Sequence, residues 1–309
     1  MKLTKNASAA APERDVILQK IILWAQDNSA IQALILTGSL ARADQLADAL
    51  SDIDIEIIID DPTLLMSDFG WLGEIGQLVT VLPLDPSPEQ HWATRLAIYS
   101  GGTKVDYTLA GPARLCEMAN HQKLEPLYER GYKILLDKAG LTNDLPPPSG
   151  HAPTRTLPSN DAFRASVQEF WFEAAHIPKY LIRDELWLVK QRDQTMKALL
   201  LQMLEWHAAS SRPVDVWHIG TQMKQWVDKA TWDELQQVFG RFDVLDSSRA
   251  FKATVALYSR IAKDVARSAG FEYPDSVESG IMSICDPLLA CLEGTRTPNE
   301  DSPFSPVEP

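Results

Sequence analysis

Cysteine is scarce: Cys116, Cys285 and Cys291 are the three in 309 residues, with no C-x-x-C spacing and one left over after any pairing. That speaks against a disulfide framework or a structural zinc site, and the three are expected to be buried thiols. Long apolar runs are missing too. No stretch approaches the ~18 uncharged apolar residues of a membrane span, and "MKLTKNASAAAPERD" has no apolar core of signal-peptide length. The expectation is a cytoplasmic protein with no membrane partner. Net positive charge is absent: 42 acids against 29 bases give −13, which argues against nucleic acid as a partner and is compatible with a cationic ligand. There is no G-x-x-x-x-G-K-[ST] and no internal repeat. Gly70, Gly73 and Gly76 have a G-x-x-G-x-x-G spacing that is not the dinucleotide fingerprint. The six histidines are scattered.

What is present divides the chain in two. At 45% apolar residues the composition supports packed cores, and the length favours two domains. Apolar residues from Glu13 to Trp24 recur at helical spacing. "IQALILT", Ile31 to Thr37, suits a buried strand, and Ser39 to Leu50, rich in Ala and Leu, is expected to be partly helical. "DIDIEIII", Asp52 to Ile59, alternates with period two, the pattern of a strand with one buried face. A helix after Pro62, a strand at "LVTVLPL" and two strands joined at Gly101-Gly102 follow. Strands and helices interleave to about Asp137. The Pro-rich stretch 141–159 reads as a linker, 160–293 as helical throughout, and 294–309 as a disordered tail.

The acids of "DIDIEIII" carry the chemistry. Residues two apart on a strand share a face and lie roughly 6.5 to 7 Å apart, so Asp52, Asp54 and Glu56 point one way and Ile53, Ile55, Ile57 and Ile59 into a core. Asp52 and Asp54 held so close repel unless one is protonated or a cation sits between them. Hard oxygen ligands at this density suit Mg²⁺. In "TKVDYTL" the same alternation puts Lys104, Asp106 and Thr108 opposite Val105, Tyr107 and Leu109, which adds a third carboxylate. Gly38 and Ser39 follow a buried strand and open a helix, where free N–H groups and the missing Cβ let a phosphate approach.

A Gly-Ser pair followed by D-x-D resembles the nucleotidyltransferase superfamily. Through "LTGSLARADQLADALSDIDIEIII", "GTKVDYTL", "QEFWFEAAHIPKYLIRDELWLVKQRDQTMKALLLQMLEWH" and "GFEYP" the chain resembles the aminoglycoside 6-adenylyltransferases that modify streptomycin. The resemblance implies an α/β nucleotidyltransferase domain with a mixed sheet (1–140), followed by an α-helical bundle domain that binds substrate (160–293) and closes a cleft. It also implies transfer of AMP from ATP to an aminoglycoside hydroxyl, with Mg²⁺ and release of pyrophosphate. In that pattern Gly38 and Ser39 hold the nucleotide phosphates, Asp52 and Asp54 bind metal, and Lys179 contacts phosphate. The chain departs from it at Leu40, where an arginine commonly follows the Gly-Ser pair, with Arg42 as a replacement. It departs again at Pro178, which could bend the helix carrying Lys179. Asp106 is the leading candidate for general base and a further metal ligand, with Glu185 as the alternative. Trp171 and Glu173 could line a cationic sugar site, although core packing also accounts for Trp171. Two alternatives stay open: nucleotidylation of another acceptor, and a catalytically silent nucleotide-binding regulator. Oligomeric state is not legible.

Overall fold

The computed structural model describes residues 7–44, 46–88, 91–151, 157–211, 216 and 219–295. They fall into two compact units, divided between Pro153 and Thr154.

The first unit is built in chain order from α1 (Ala7–Asp27), β1 (Ile31–Thr37), α2 (Gly38–Ala41), β2 (Ile53–Ile59), α3 (Thr63–Met66), α4 (Gly70–Ile75), β3 (Leu78–Leu84), β4 (Ala93–Tyr99), β5 (Lys104–Ala110), α5 (Ala113–Asn120), α6 (Pro126–Glu129) and β6 (Lys133–Asp137). Its strands form one six-stranded sheet in the order β3-β4-β5-β2-β1-β6. β2 and β5 run parallel, while every other neighbouring pair is antiparallel, so the sheet is mixed. β3, at one edge, tolerates Pro83 because an edge strand has one row of backbone groups outside the ladder. Gly101 and Gly102, both at positive φ, close the β4–β5 hairpin.

Period-two alternation sorts β2 as expected on one face: Ile53, Ile55, Ile57 and Ile59 are buried with Ile21, Leu34, Val105 and Tyr107. The opposite face is not open to solvent along its whole length, which departs from the expectation of one buried face. Ile58 packs there with Ala33, Ile35, Ala110 and Leu115, because α5 and α6 cover that end of the sheet. Ser39–Leu50 is helical only in part, as expected: its helix ends at Ala41. Beyond it the Asp44 and Asp48 side chains accept the N–H groups of Leu46 and Leu50, local turns that compete with helical bonding. The stretch 141–159 begins folded against this unit: Thr142 and Leu145 are buried, and the Asp137 carboxylate accepts from Thr142 N and Oγ1 at 2.9 and 2.6 Å.

The described residues of the second unit contain helices and no strand: α7 (Asn160–Ala174), α8 (Ile177–Ile182), α9 (Leu186–Ser211), α10 (Met223–Trp226), α11 (Lys229–Leu235), α12 (Val244–Ala269) and α13 (Asp275–Thr295). Ser159 caps α7 and Asp243 caps α12 through side-chain oxygens, and Gly270 ends α12 in the left-handed region. Phe170 stacks on Tyr258 at 3.5 Å between ring centroids in the core. Helix α13 takes in Gly294 and Thr295, and the rest of the expected tail lies outside the described residues. Cys285 is buried, whereas Cys116 and Cys291 are exposed, contrary to the expectation of three buried thiols. No helix among the described residues is long and apolar enough to cross a membrane.

Candidate functional site

The sheet register brings the acids together. Thr37, the last residue of β1, pairs with Asp54 on β2, and Asp54 pairs with Asp106 on β5. Gly38 then leaves the sheet at φ +65°, a conformation that disfavours any residue with a Cβ, and a Cβ there would collide with the Asp54 carboxylate. The glycine is therefore favoured both by its backbone and by the close approach of Asp54 beneath the turn. Ser39 follows, partly buried, in α2.

A cation already sits among these carboxylates. Lys104, two residues before Asp106 and on the same face of β5, donates from Nζ to Asp52 Oδ2 at 2.7 Å and Asp106 Oδ2 at 2.8 Å. Asp106 Oδ1 also lies 2.7 Å from that ammonium, but outside hydrogen-bond geometry, and remains a buried acceptor without a hydrogen bond. Burial, then the charges of Asp106 and Asp52, push the Asp54 carboxyl up to about 6, and Lys104 offsets only part of this. Asp106 is raised by burial against the opposing pull of Lys104. Burial disfavours the charge of Lys104, yet its hydrogen bonds to Asp106 and Asp52 outweigh that and hold its pKa above the ordinary value.

Glu56, next on the same face, has a different task. It is 1% exposed, with Oε1 2.6 Å from Arg114 Nε and accepting from the Tyr128 hydroxyl at 2.8 Å. The Arg114 guanidinium lies over the Trp92 and Tyr128 rings. This buried pair ties α5 and α6 to the sheet. Burial raises the Glu56 carboxyl, opposed by Arg114 and Tyr128.

The remaining expected residues are placed as follows. Arg42 ends α2 with Nε 2.7 Å from Asp44 Oδ2. Lys133, at the start of β6, also lies beside the Gly-Ser turn, its Nζ donating to the Leu40 carbonyl at 2.8 Å. Pro178 occupies the first turn of α8, where a proline needs no N–H partner, and so does not bend the helix; Lys179 next to it is exposed. Glu185 is exposed and does not continue the helix of Lys179, because Asp184 at φ +57° breaks the chain between α8 and α9. Trp171 is buried and donates to the Tyr273 hydroxyl at 3.0 Å. Glu173 is buried and accepts from Arg192 Nη1 at 2.9 and 3.0 Å.

Among the described residues, no group of three or more His, Cys, Asp or Glu side chains is arranged ready to hold a metal ion. The donor chemistry nevertheless fits a hard cation: carboxylate oxygens from neighbouring strands, one of them without a hydrogen bond, around a position that an ammonium now fills.

A sequence model of the family described as Streptomycin adenylyltransferase matches residues 13–285. The chain belongs to this family. It is therefore an enzyme, a nucleotidyltransferase, of a family whose chemistry is AMP transfer to an aminoglycoside, with ATP as donor and typically a divalent metal. The match includes the Gly-Ser turn, all three aspartates and Lys179. An aminoglycoside 6-adenylyltransferase from Campylobacter jejuni is 24% identical over 263 residues, covering 82% of this chain and 88% of its own. A solved aminoglycoside 6-adenyltransferase from Bacillus subtilis is 19% identical, covers 89% of this chain and 97% of its own, and superposes with a TM-score of 0.43.

Two residues at this candidate site, Lys104 and Lys133, are not marked as functional by the sequence. Alternation places Lys104 on the acidic face, so its position was legible. Lys133 reaches the turn from 93 residues away and leaves no local signal.

Proposed function

We propose that this enzyme transfers AMP from ATP to a hydroxyl of streptomycin or a close guanidinium-bearing relative, releasing pyrophosphate, in the cytoplasm and without nucleic acid or membrane partners. The observation that carries the site is the register of Asp54 with Asp106 on adjoining strands, beneath a turn whose Gly38 sits at φ +65° against the Asp54 carboxylate.

In this reading Gly38 and Ser39 receive the triphosphate at backbone N–H groups, with Lys133 beside them. Asp52, Asp54 and Asp106 would hold Mg²⁺, which when bound neutralises phosphate charge and makes the acceptor hydroxyl more acidic. Asp106 receives the hydroxyl proton as general base. Lys179 offsets negative charge on the departing pyrophosphate. Glu185 is assigned to acceptor binding. Trp171 and Glu173, held in the helical core by Tyr273 and Arg192, take no part. Residues 1–140 form the nucleotide-binding domain and 160–293 a helical acceptor-binding domain, with the overall charge of −13 suited to a cationic acceptor.

Pyrophosphate release over a panel of acceptors tests this reading. Signal with streptomycin is expected. Signal only with other acceptors would reassign the substrate, and none with any acceptor would leave a silent nucleotide-binding protein.

A further inference from the structure

The ammonium of Lys104 stands among the acids that the proposed reaction needs free. Pairing of Ile53 with Val105 sets Asp52 and Lys104 side by side at the start of β2 and β5, and Lys104 spans from Asp52 to Asp106. One side chain therefore links a carboxylate from each strand. An ordinary surface pair would join one lysine to one acid. Here a single monovalent cation does for the metal-free cluster what a divalent ion would do more completely, and two hydrogen bonds must break before Asp52 and Asp106 can turn to a metal.

Resting on the nucleotide and metal reading above, we propose that Lys104 is a built-in counter-cation that holds Asp52 and Asp106 in the metal-free enzyme and competes with a divalent metal for them. Free metal then binds weakly, and productive metal binding depends on ATP arriving with the ion. Lys104 is a positioning residue in this scheme. It sets when the acids become available, and the acids do the chemistry.

The test is Mn²⁺ binding to the nucleotide-free protein, followed by electron paramagnetic resonance, for wild type and for Lys104→Met, Lys104→Gln and Lys104→Arg. Two partly exposed ion pairs correspond to roughly tenfold in affinity. Lys104→Met and Lys104→Gln should therefore bind Mn²⁺ about tenfold more tightly than wild type, and Lys104→Arg should bind as wild type does. Lys123→Met, which removes the same charge from an exposed position in the same unit, should leave the affinity unchanged, separating local competition from general electrostatics. In EDTA, Lys104→Met should melt at a lower temperature than wild type and recover on adding Mn²⁺. Lys104→Gln can still hydrogen-bond the acids without charge and keeps the test open if the methionine variant fails to fold. Unchanged or weaker Mn²⁺ binding by both neutral variants, with Mn-ATP still bound by wild type, would overturn the inference while leaving the nucleotide site standing. No Mn²⁺ binding by wild type or any variant, with or without ATP, would overturn both.

Discussion

Replacing Asp54 with asparagine should stabilise the metal-free protein while abolishing its activity. Asp54 is raised from an ordinary 3.8 to about 6, chiefly by burial and then by the charges of Asp106 and Asp52. The folded state therefore holds the Asp54 proton more tightly than the unfolded chain, and the ionised carboxylate costs stability. Each tenfold in proton affinity corresponds to about 1.4 kcal/mol, so the cost is about 3 kcal/mol above pH 6. It declines as pH falls through 6 and vanishes below about 3.8. Asparagine fills the same space without the charge. In EDTA at pH 8, Asp54→Asn should gain about 3 kcal/mol over wild type, read by hydrogen exchange of the β1, β2 and β5 amides. At pH 5 the advantage should fall to about half, because wild-type Asp54 is then largely protonated in the fold. A variant no more stable than wild type at pH 8, or one with the same gain at both pH values, would show that the charge on Asp54 is not what costs the fold stability.

Three further outcomes follow from the same geometry. Asp106→Asn should lower kcat by at least about 10²-fold at saturating Mg-ATP and acceptor, with Glu185→Gln acting mainly on KM; loss of kcat in the Glu185 variant alone would move the general base there. Gly38→Ala, strained at φ +65° and in collision with Asp54, should weaken Mg-ATP binding by about tenfold or more in isothermal titration, with an unchanged circular dichroism spectrum. Glu56→Gln removes one side of a buried ion pair and should cost about 3 kcal/mol in urea unfolding, whereas a catalytic role for Glu56 would appear as lost kcat without lost stability.

Much of the first unit was legible because its strands carry strict alternation. "DIDIEIII" and "TKVDYTL" fixed which side chains share a face, and the hairpin glycines marked where the chain returns. The second buried face of β2 was not legible, since Ile58 follows Ile57 and Glu56 looks like one more acid until Arg114 and Tyr128 arrive from α5 and α6. The partial helix after Thr37 was legible in the Ala and Leu content, but its end at Ala41 was not, because Asp44 and Asp48 capture backbone N–H groups locally. Between Lys179 and Glu185 helical periodicity ran straight through a left-handed residue, Asp184, which composition does not mark. The aspartates themselves could be named from spacing alone. The ammonium that binds two of them could not, because alternation says which face Lys104 lies on and nothing about which carboxylates it reaches across the strands.

The proposed roles meet in one reaction, transfer of AMP to a streptomycin-like acceptor at the Asp52, Asp54 and Asp106 face. Mass spectrometry of streptomycin incubated with the protein, ATP and Mg²⁺ tests it most directly. One AMP should be added per acceptor molecule, and no adduct should form with Asp54→Asn. Unmodified streptomycin with the wild-type protein would rule out this acceptor, and the same adduct with Asp54→Asn would rule out this face as the catalytic site.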